Sequence, residues 1–159
     1  MALDTGLAGK RALVTGGASG IGRAIALLLA AEGVAVAVAD LRDPAAVTAE
    51  IAARGVPAHG IAADVSTEEG VVRMVADAAD ALGGLDLYVN NAAGAWHEPV
   101  TRLTRAAFER TMATNVAASV FACREAARLF IPQRSGAILA VASTALVSAQ
   151  PRETAYRAS

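Results

Sequence analysis

Near the N-terminus, between two apolar stretches, lies Thr15-Gly16-Gly17-Ala18-Ser19-Gly20-Ile21-Gly22. Glycines at this density let a backbone turn sharply and approach a ligand closely. If a helix starts at the end of such a turn, its first N–H groups face outward with a partial positive charge. That combination suits a diphosphate. A tight strand-to-helix connection with no ligand would use the same residues, and the spacing differs from the common G-x-G-x-x-G fingerprint. Further along stands Asp40, 18 residues after Gly22 and at the end of a second apolar run. In a doubly wound sheet, a carboxylate there accepts hydrogen bonds from both hydroxyls of an adenosine ribose and would repel a 2′-phosphate. Asp40 therefore argues for NAD over NADP, with an ordinary polar strand end as the alternative. Arg42 pulls the other way, because a guanidinium can pair with a phosphate. No basic residue lies inside the glycine turn itself.

The elements that must position these groups are legible as alternating patterns. Residues 12–14 form a continuous apolar run, as a parallel strand buried on both faces requires. Behind the turn, Ile21, Ile25, Leu28 and Leu29 recur at helical spacing, with Gly33 as the stop. A second strand follows over 34–39. Asp43-Pro44 then opens a helix to about residue 54, which Gly55 ends. A third strand over 56–62 leads to Asp64-Val65, where Asp64 could hold an adenine amino group or simply end the strand. Ser66 with Glu69 reads as a capping box for a helix to about residue 82. The fourth strand, 85–89, runs into Asn90-Asn91-Ala92-Ala93-Gly94, small residues and amides that leave room for a ligand at the carboxyl edge. Thr104 is expected to cap a long helix to about residue 130, with Phe108, Met112, Val116, Val120 and Cys123 on its apolar side. Asn115 falls inside that helix, where an Asn says little by itself. A fifth strand over 136–142 ends at Ser143-Thr144, and Tyr156 follows near the end of the sequence. Trp96 and His97, after the fourth strand, either line a pocket or sit on a surface loop.

This alternation is the signature of an α/β doubly wound, Rossmann-like fold, a parallel sheet in the order 3-2-1-4-5 between two helical layers. The 159 residues suffice for one domain with its own core. The almost wholly apolar fifth strand would then stand unpaired at an edge, which sheets normally avoid. Further C-terminal strands are therefore expected to be missing from these 159 residues. A net charge of −1 with interspersed signs offers no basic stripe for nucleic acid and no polybasic membrane patch. Cys123 is the only cysteine, and His59 and His97 are far apart, so no disulfide framework or metal site is implied. The longest apolar run, 24–31, is far shorter than a bilayer span. The N-terminus lacks the apolar core of a signal peptide. A soluble cytoplasmic protein is the expectation.

Taken together, these motifs resemble the short-chain dehydrogenase/reductase family along essentially the whole of residues 10–159. The turn is similar to the family's T-G-x-x-x-G-I-G. Asp64-Val65, Asn90-Asn91-Ala92, Asn115-Val116 and Ser143 fall where the family has them, and Tyr156 follows Ser143 by the usual 13 residues. The family's N-N-A-G reads here with one extra alanine, Ala93. The lysine of its Y-x-x-x-K would fall one residue past Ser159.

The resemblance implies an oxidoreductase moving hydride between a nicotinamide cofactor and an alcohol or ketone. Tyr156 would exchange a proton with the substrate oxygen, Ser143 would hydrogen-bond that oxygen, and Asn115 would hold a water of the proton relay. Gly16, Ser19, Gly20, Ile21, Gly22, Asp40, Asp64, Val65, Asn91 and Ala92 would hold the cofactor. A homodimer or homotetramer is implied as well. A free tyrosine titrates near pH 10, so working at neutral pH takes roughly 4 kcal/mol of differential stabilisation, which the family's lysine largely supplies. The alternative is a dinucleotide-binding fragment or module that lacks that lysine and does not turn over.

Overall fold

The computed structural model describes residues 4–148 and 150–159. Five strands, β1 (Arg11–Thr15), β2 (Ala35–Asp40), β3 (Ala58–Ala62), β4 (Leu87–Asn90) and β5 (Ala137–Ala140), form one sheet in the order 3-2-1-4-5. Every pairing is parallel. The apolar runs explain why. In β1, Ala12 and Val14 point to one face and Leu13 to the other, and all three are fully buried. In β2, Val36 and Val38 alternate in the same way with Ala37 and Ala39. A strand apolar on both faces needs a helical layer on each side.

One layer holds α1 (Gly20–Ala31) and α2 (Ala45–Ala52), and the other holds α3 (Glu68–Leu82) and α5 (Ala118–Gln133). Val47 and Ile51 close the first core, and Val71, Met74, Val75, Ala122, Ala126 and Phe130 close the second. The carboxyl ends of β1, β2 and β4 thus open on the same edge of the sheet, where the glycine turn, Asp40 and Asn91 meet.

Several expected details differ. On α1 the buried face is Gly22, Ala26 and Ala30, one residue every fourth position, while Ile21 and Leu28 are about two-thirds exposed. Small residues let the helix axis lie close to the sheet, so larger apolar neighbours such as Ile25 and Leu29 flank the contact instead of forming it. The cap of α3 is Thr67, not Ser66: its hydroxyl accepts from the Gly70 N–H at 3.1 Å. Ser66 instead donates its N–H to Asp64 Oδ1, which turns the chain just before the helix.

Thr104 does cap a helix, accepting from the Ala107 N–H. That helix, α4 (Arg105–Met112), passes through a π turn at Ala113–Ala117 before continuing as α5. Its buried stripe is Ala107, Thr111, Ala118, Ala122, Ala126 and Phe130, so Phe108 and Val120 of the expected apolar side face outward. As on α1, alanines win the closest approach.

Among the described residues β5 pairs with β4 alone, and Ile138 and Leu139 remain exposed there. Beyond it, Thr144–Leu146 forms a short 3-10 turn and Thr154–Arg157 a single helical turn, α6. Among the described residues, no helix is long and apolar enough to cross a membrane.

Candidate functional site

The glycine turn is held by its neighbours across the sheet. The Thr15 hydroxyl is buried and accepts hydrogen bonds from the backbone N–H groups of Asn91 and Ala92, each at 3.0 Å. The Asn91 amide returns the contact, donating from Nδ2 to the carbonyls of Thr15 (2.9 Å) and Gly16 (3.3 Å). Gly16 takes φ +64°, the left-handed region where a side chain is strained. Gly22 lies on the inner side of the same turn. A Cβ there would press into the Gly16 carbonyl oxygen and come within 2.5 Å of Asn91 Nδ2. Gly22 is thus a packing residue beneath the turn, not a wall of the cleft.

Above the turn opens a cleft of about 520 Å³, lined by Gly16, Ser19, Gly20, Ile21, Asp40, Arg42, Asp64, Val65, Asn91 and Ala92 among others. Every residue assigned to the cofactor from the sequence lines it, Gly22 excepted. The N-terminus of α1 faces this space with no side-chain cap and no acidic residue in its first turn. α3, by contrast, begins with a Thr67 cap followed by Glu68 and Glu69. Uncapped N–H groups over glycines suit the diphosphate of a dinucleotide.

At the far end, Asp40 is nearly buried, and its two oxygens accept from the N–H groups of Ala18 and Arg42, each at 3.0 Å. Each carboxylate oxygen retains a further acceptor site for a ribose hydroxyl. The Arg42 guanidinium lies 3.6 Å from Asp40 and donates to the Ser19 hydroxyl. Its charge is therefore partly answered by Asp40.

A second cavity, of about 220 Å³, adjoins the cleft and shares Ala92 and Ala93 with it. Asn115, Ser143 and Tyr156 all line it, together with Ala145, Arg157 and Ser159. Residues more than 40 positions apart in sequence are thus gathered beside the cleft. Ser143 lies just past β5, and its exposed hydroxyl accepts from the Ala145 N–H at 3.1 Å. Tyr156 projects from α6.

Asn115 sits in the π turn, with both amide hydrogens and one acceptor site of its oxygen engaged. Oδ1 accepts from the Gly94 N–H at 2.8 Å, while Nδ2 donates to the Gly94 carbonyl at 3.0 Å and to the Ser159 hydroxyl at 2.9 Å. A π turn widens one helical turn and frees backbone groups, a distortion that recurs at functional sites. Periodicity does not reveal it. Trp96 and His97 do not line the cavity. Trp96 stacks over the Arg110 guanidinium at 4.3 Å, and His97 lies 3.7 Å from Glu153.

Tyr88, the other tyrosine, is buried on β4 and donates to Asn90 Oδ1 at 2.8 Å. Burial pushes its pKa far up, against the smaller opposing effect of a hydrogen bond with Thr15. It is packed in the core and does not line the cavity. Among the described residues no cluster of His, Cys, Asp and Glu could hold a metal ion.

Residues 10–159 match the sequence model of a family described as short chain dehydrogenase. A sorbitol dehydrogenase of Cereibacter sphaeroides is 41% identical over 140 residues, which cover 87% of this chain and 54% of that protein. A short chain dehydrogenase from Burkholderia cenocepacia, solved in complex with NADP, superposes with a TM-score of 0.86 at 36% identity, covering 96% of this chain and 63% of that one. A 7α-hydroxysteroid dehydrogenase complexed with NADH and 7-oxo glycochenodeoxycholic acid superposes with a TM-score of 0.91 at 30% identity, covering 96% and 60%. The chain thus spans only about half to two-thirds of the length of these relatives. The sheet order, the glycine turn over an uncapped helix and these matches together put the chain in the short-chain dehydrogenase family of NAD(P)-linked oxidoreductases.

Proposed function

We propose that the protein is a dehydrogenase that interconverts a small-molecule alcohol and the corresponding ketone, with NAD as the preferred cofactor. The observation that carries this reading is the convergence of Asn115, Ser143 and Tyr156 on one cavity that shares Ala92 and Ala93 with the cleft above the glycine turn. When bound, the nicotinamide supplies or accepts the hydride.

The chain's own residues handle the oxygen and the proton. The Tyr156 hydroxyl delivers a proton to the carbonyl oxygen in reduction, or takes it from the alcohol in oxidation. The Ser143 hydroxyl, which accepts from the Ala145 N–H and keeps its own O–H to donate, hydrogen-bonds the same oxygen and holds it near Tyr156. Asn115, clamped to Gly94 and Ser159, keeps the relay side of the cavity in shape, where a water can join the chain of proton donors. Asp40 holds the adenosine ribose and Asp64 with Val65 the adenine side of the cleft. The negative charge of Asp40 at the ribose end supports NAD over NADP. Residues 1–159 are, in this reading, a single dinucleotide-binding domain. A cytoplasmic homodimer or homotetramer belongs to the same proposal, supported by the exposed apolar side chains Phe108, Val120 and Ile131 along α4 and α5.

Fluorescence titration with NADH and NADPH, followed by NAD-dependent oxidation of sorbitol and of a panel of secondary alcohols, tests the reading. We expect micromolar NADH binding and turnover that falls about 10²- to 10⁴-fold in Tyr156→Phe. Binding without turnover would point to the dinucleotide-binding module. No binding of either cofactor would sink both readings.

A further inference from the structure

Three separate segments meet at one ion pair beside Tyr156. Arg157 Nη2 donates to Glu153 Oε2 at 2.7 Å, and both side chains are largely buried. Its Nη1 donates to the Ala145 carbonyl at 2.7 Å and reaches the Ser148 hydroxyl at 3.4 Å. Ala145 is also the residue whose N–H holds the Ser143 hydroxyl. Glu153 is in turn 3.7 Å from His97 Nδ1 and forms a parallel bridge with Glu98, both in the segment after β4. A single guanidinium thereby ties the helical turn bearing Tyr156 to the 3-10 turn that follows Ser143, while its carboxylate partner anchors both to the β4 segment.

We infer that Arg157, held by Glu153, is a positioning residue that sets the placement of Ser143 relative to Tyr156. The inference rests on the proposed reading of that pair. Ser143 itself lies on an exposed segment past an edge strand, and among the described residues its hydroxyl makes one local hydrogen bond, accepted from the Ala145 N–H. Among the described residues, Arg157 is the side chain whose hydrogen bonds join α6 directly to the turn after Ser143. Arg157 supplies that constraint because its planar fork donates in two directions at once, which a lysine ammonium does not reproduce. Among the described residues, Arg157 Nε and Glu98 Oε2 are buried with no hydrogen-bond partner, a cost that calls for an explanation. Misplacing a reacting group by about 1 Å lowers rates by roughly 100-fold, so a clamp of this kind acts on turnover more than on binding.

Two measurements on the intact protein and its Arg157→Leu, Arg157→Lys and Glu153→Gln variants test the clamp. The first is amide hydrogen exchange of the segment 143–148, which needs no substrate. Exchange at Ala145 and Val147 should speed up about tenfold or more in Arg157→Leu, with the amides of β1 and β2 unchanged. The second is NAD-dependent oxidation of sorbitol or another active alcohol from the panel. There kcat should fall roughly 10- to 100-fold with NADH affinity unchanged, and Arg157→Lys should recover only part of the loss. In a Ser143→Ala background, Arg157→Leu should add little further loss, since it acts through the group already removed. Unchanged exchange at 143–148 overturns the inference whatever the turnover. Losses that simply add to that of Ser143→Ala overturn it as well. If Ser143→Ala and Tyr156→Phe leave turnover intact, the reading of the site fails and the clamp's role in turnover falls with it.

Discussion

Thr15 and Asn91, 76 residues apart in sequence, are joined by hydrogen bonds in both directions. The Thr15 hydroxyl accepts from the Asn91 backbone, and the Asn91 side chain donates to the Thr15 backbone. With Ala92 as a further donor to the same hydroxyl, the carboxyl ends of β1 and β4 are locked together just where the glycine turn begins. The floor of the cleft is therefore set by a hydroxyl that never faces it.

Thr15→Val is the direct test. Valine fills the same volume but leaves the Asn91 and Ala92 N–H groups without their acceptor. Orphaned donors of this kind cost about 1–3 kcal/mol. Urea denaturation should show a loss in that range, with weaker NADH binding, and Thr15→Ser should restore most of both. A stability equal to wild type in Thr15→Val would mean that water replaces the hydroxyl at no cost.

Gly22→Ala should damage the turn although Gly22 does not line the cleft. The added methyl meets the Gly16 carbonyl and the Asn91 amide, so the turn or the β4 end must move. Overpacking of this kind costs about 1–3 kcal/mol. Equilibrium unfolding and NADH titration should both register it.

Asp40→Ala separates the two cofactors. The substitution removes the acceptor for the ribose hydroxyls and the charge that opposes a 2′-phosphate, and it frees Arg42 to meet that phosphate. The ratio of NADH to NADPH affinity should fall about tenfold or more, a change that hydrogen bonds to a charged group readily supply. The Ala18 N–H also loses its partner, so both affinities drop somewhat and the ratio is the informative quantity. An unchanged ratio would overturn the assignment of that carboxylate.

Asp86→Asn should expose a pH-dependent contribution to stability. Arg11 grips Asp86 with Nε at 2.8 Å and Nη2 at 3.1 Å, and its backbone N–H adds a third bond. The Arg11 hydrogen bond, ahead of the opposing effect of burial, holds the carboxyl below its ordinary range. A depressed folded-state pKa means that the contribution is whole above the unfolded value near 3.9 and is lost as pH falls through the folded one. At neutral pH the variant should be less stable by about 1.5–3 kcal/mol. Urea midpoints of variant and wild type should draw together as the pH drops below about 4.

How far the site could be read in advance depended on where each group's partners lie. The glycine turn, Asp40 at the end of β2 and the small residues after β4 were legible because each is a local pattern whose chemistry follows from residue type. Their arrival in one cleft followed from the strand order, which alternating apolar runs imply. The large apolar residues of α1 and α4 misled, because periodicity registers hydrophobicity while close helix-on-sheet packing selects for small size: Gly22, Ala26 and Ala107 lie inside and Ile21, Leu28 and Phe108 outside.

By itself, then, the amino-acid sequence determined the order of the strands, the turn and the acidic strand end, and its resemblance to a family named Asn115, Ser143 and Tyr156 as candidates. Only the tertiary structure decided that Thr15 supports the cleft from beneath, that Gly22 packs instead of lining it, that Asn115 clamps Gly94 from a π turn, and that Arg157 bridges Tyr156's helix to Ser143's turn. The physical reason is range. Periodicity, caps and turn chemistry report interactions within a few residues, whereas each of these roles comes from a partner that only the fold brings within hydrogen-bonding or van der Waals reach.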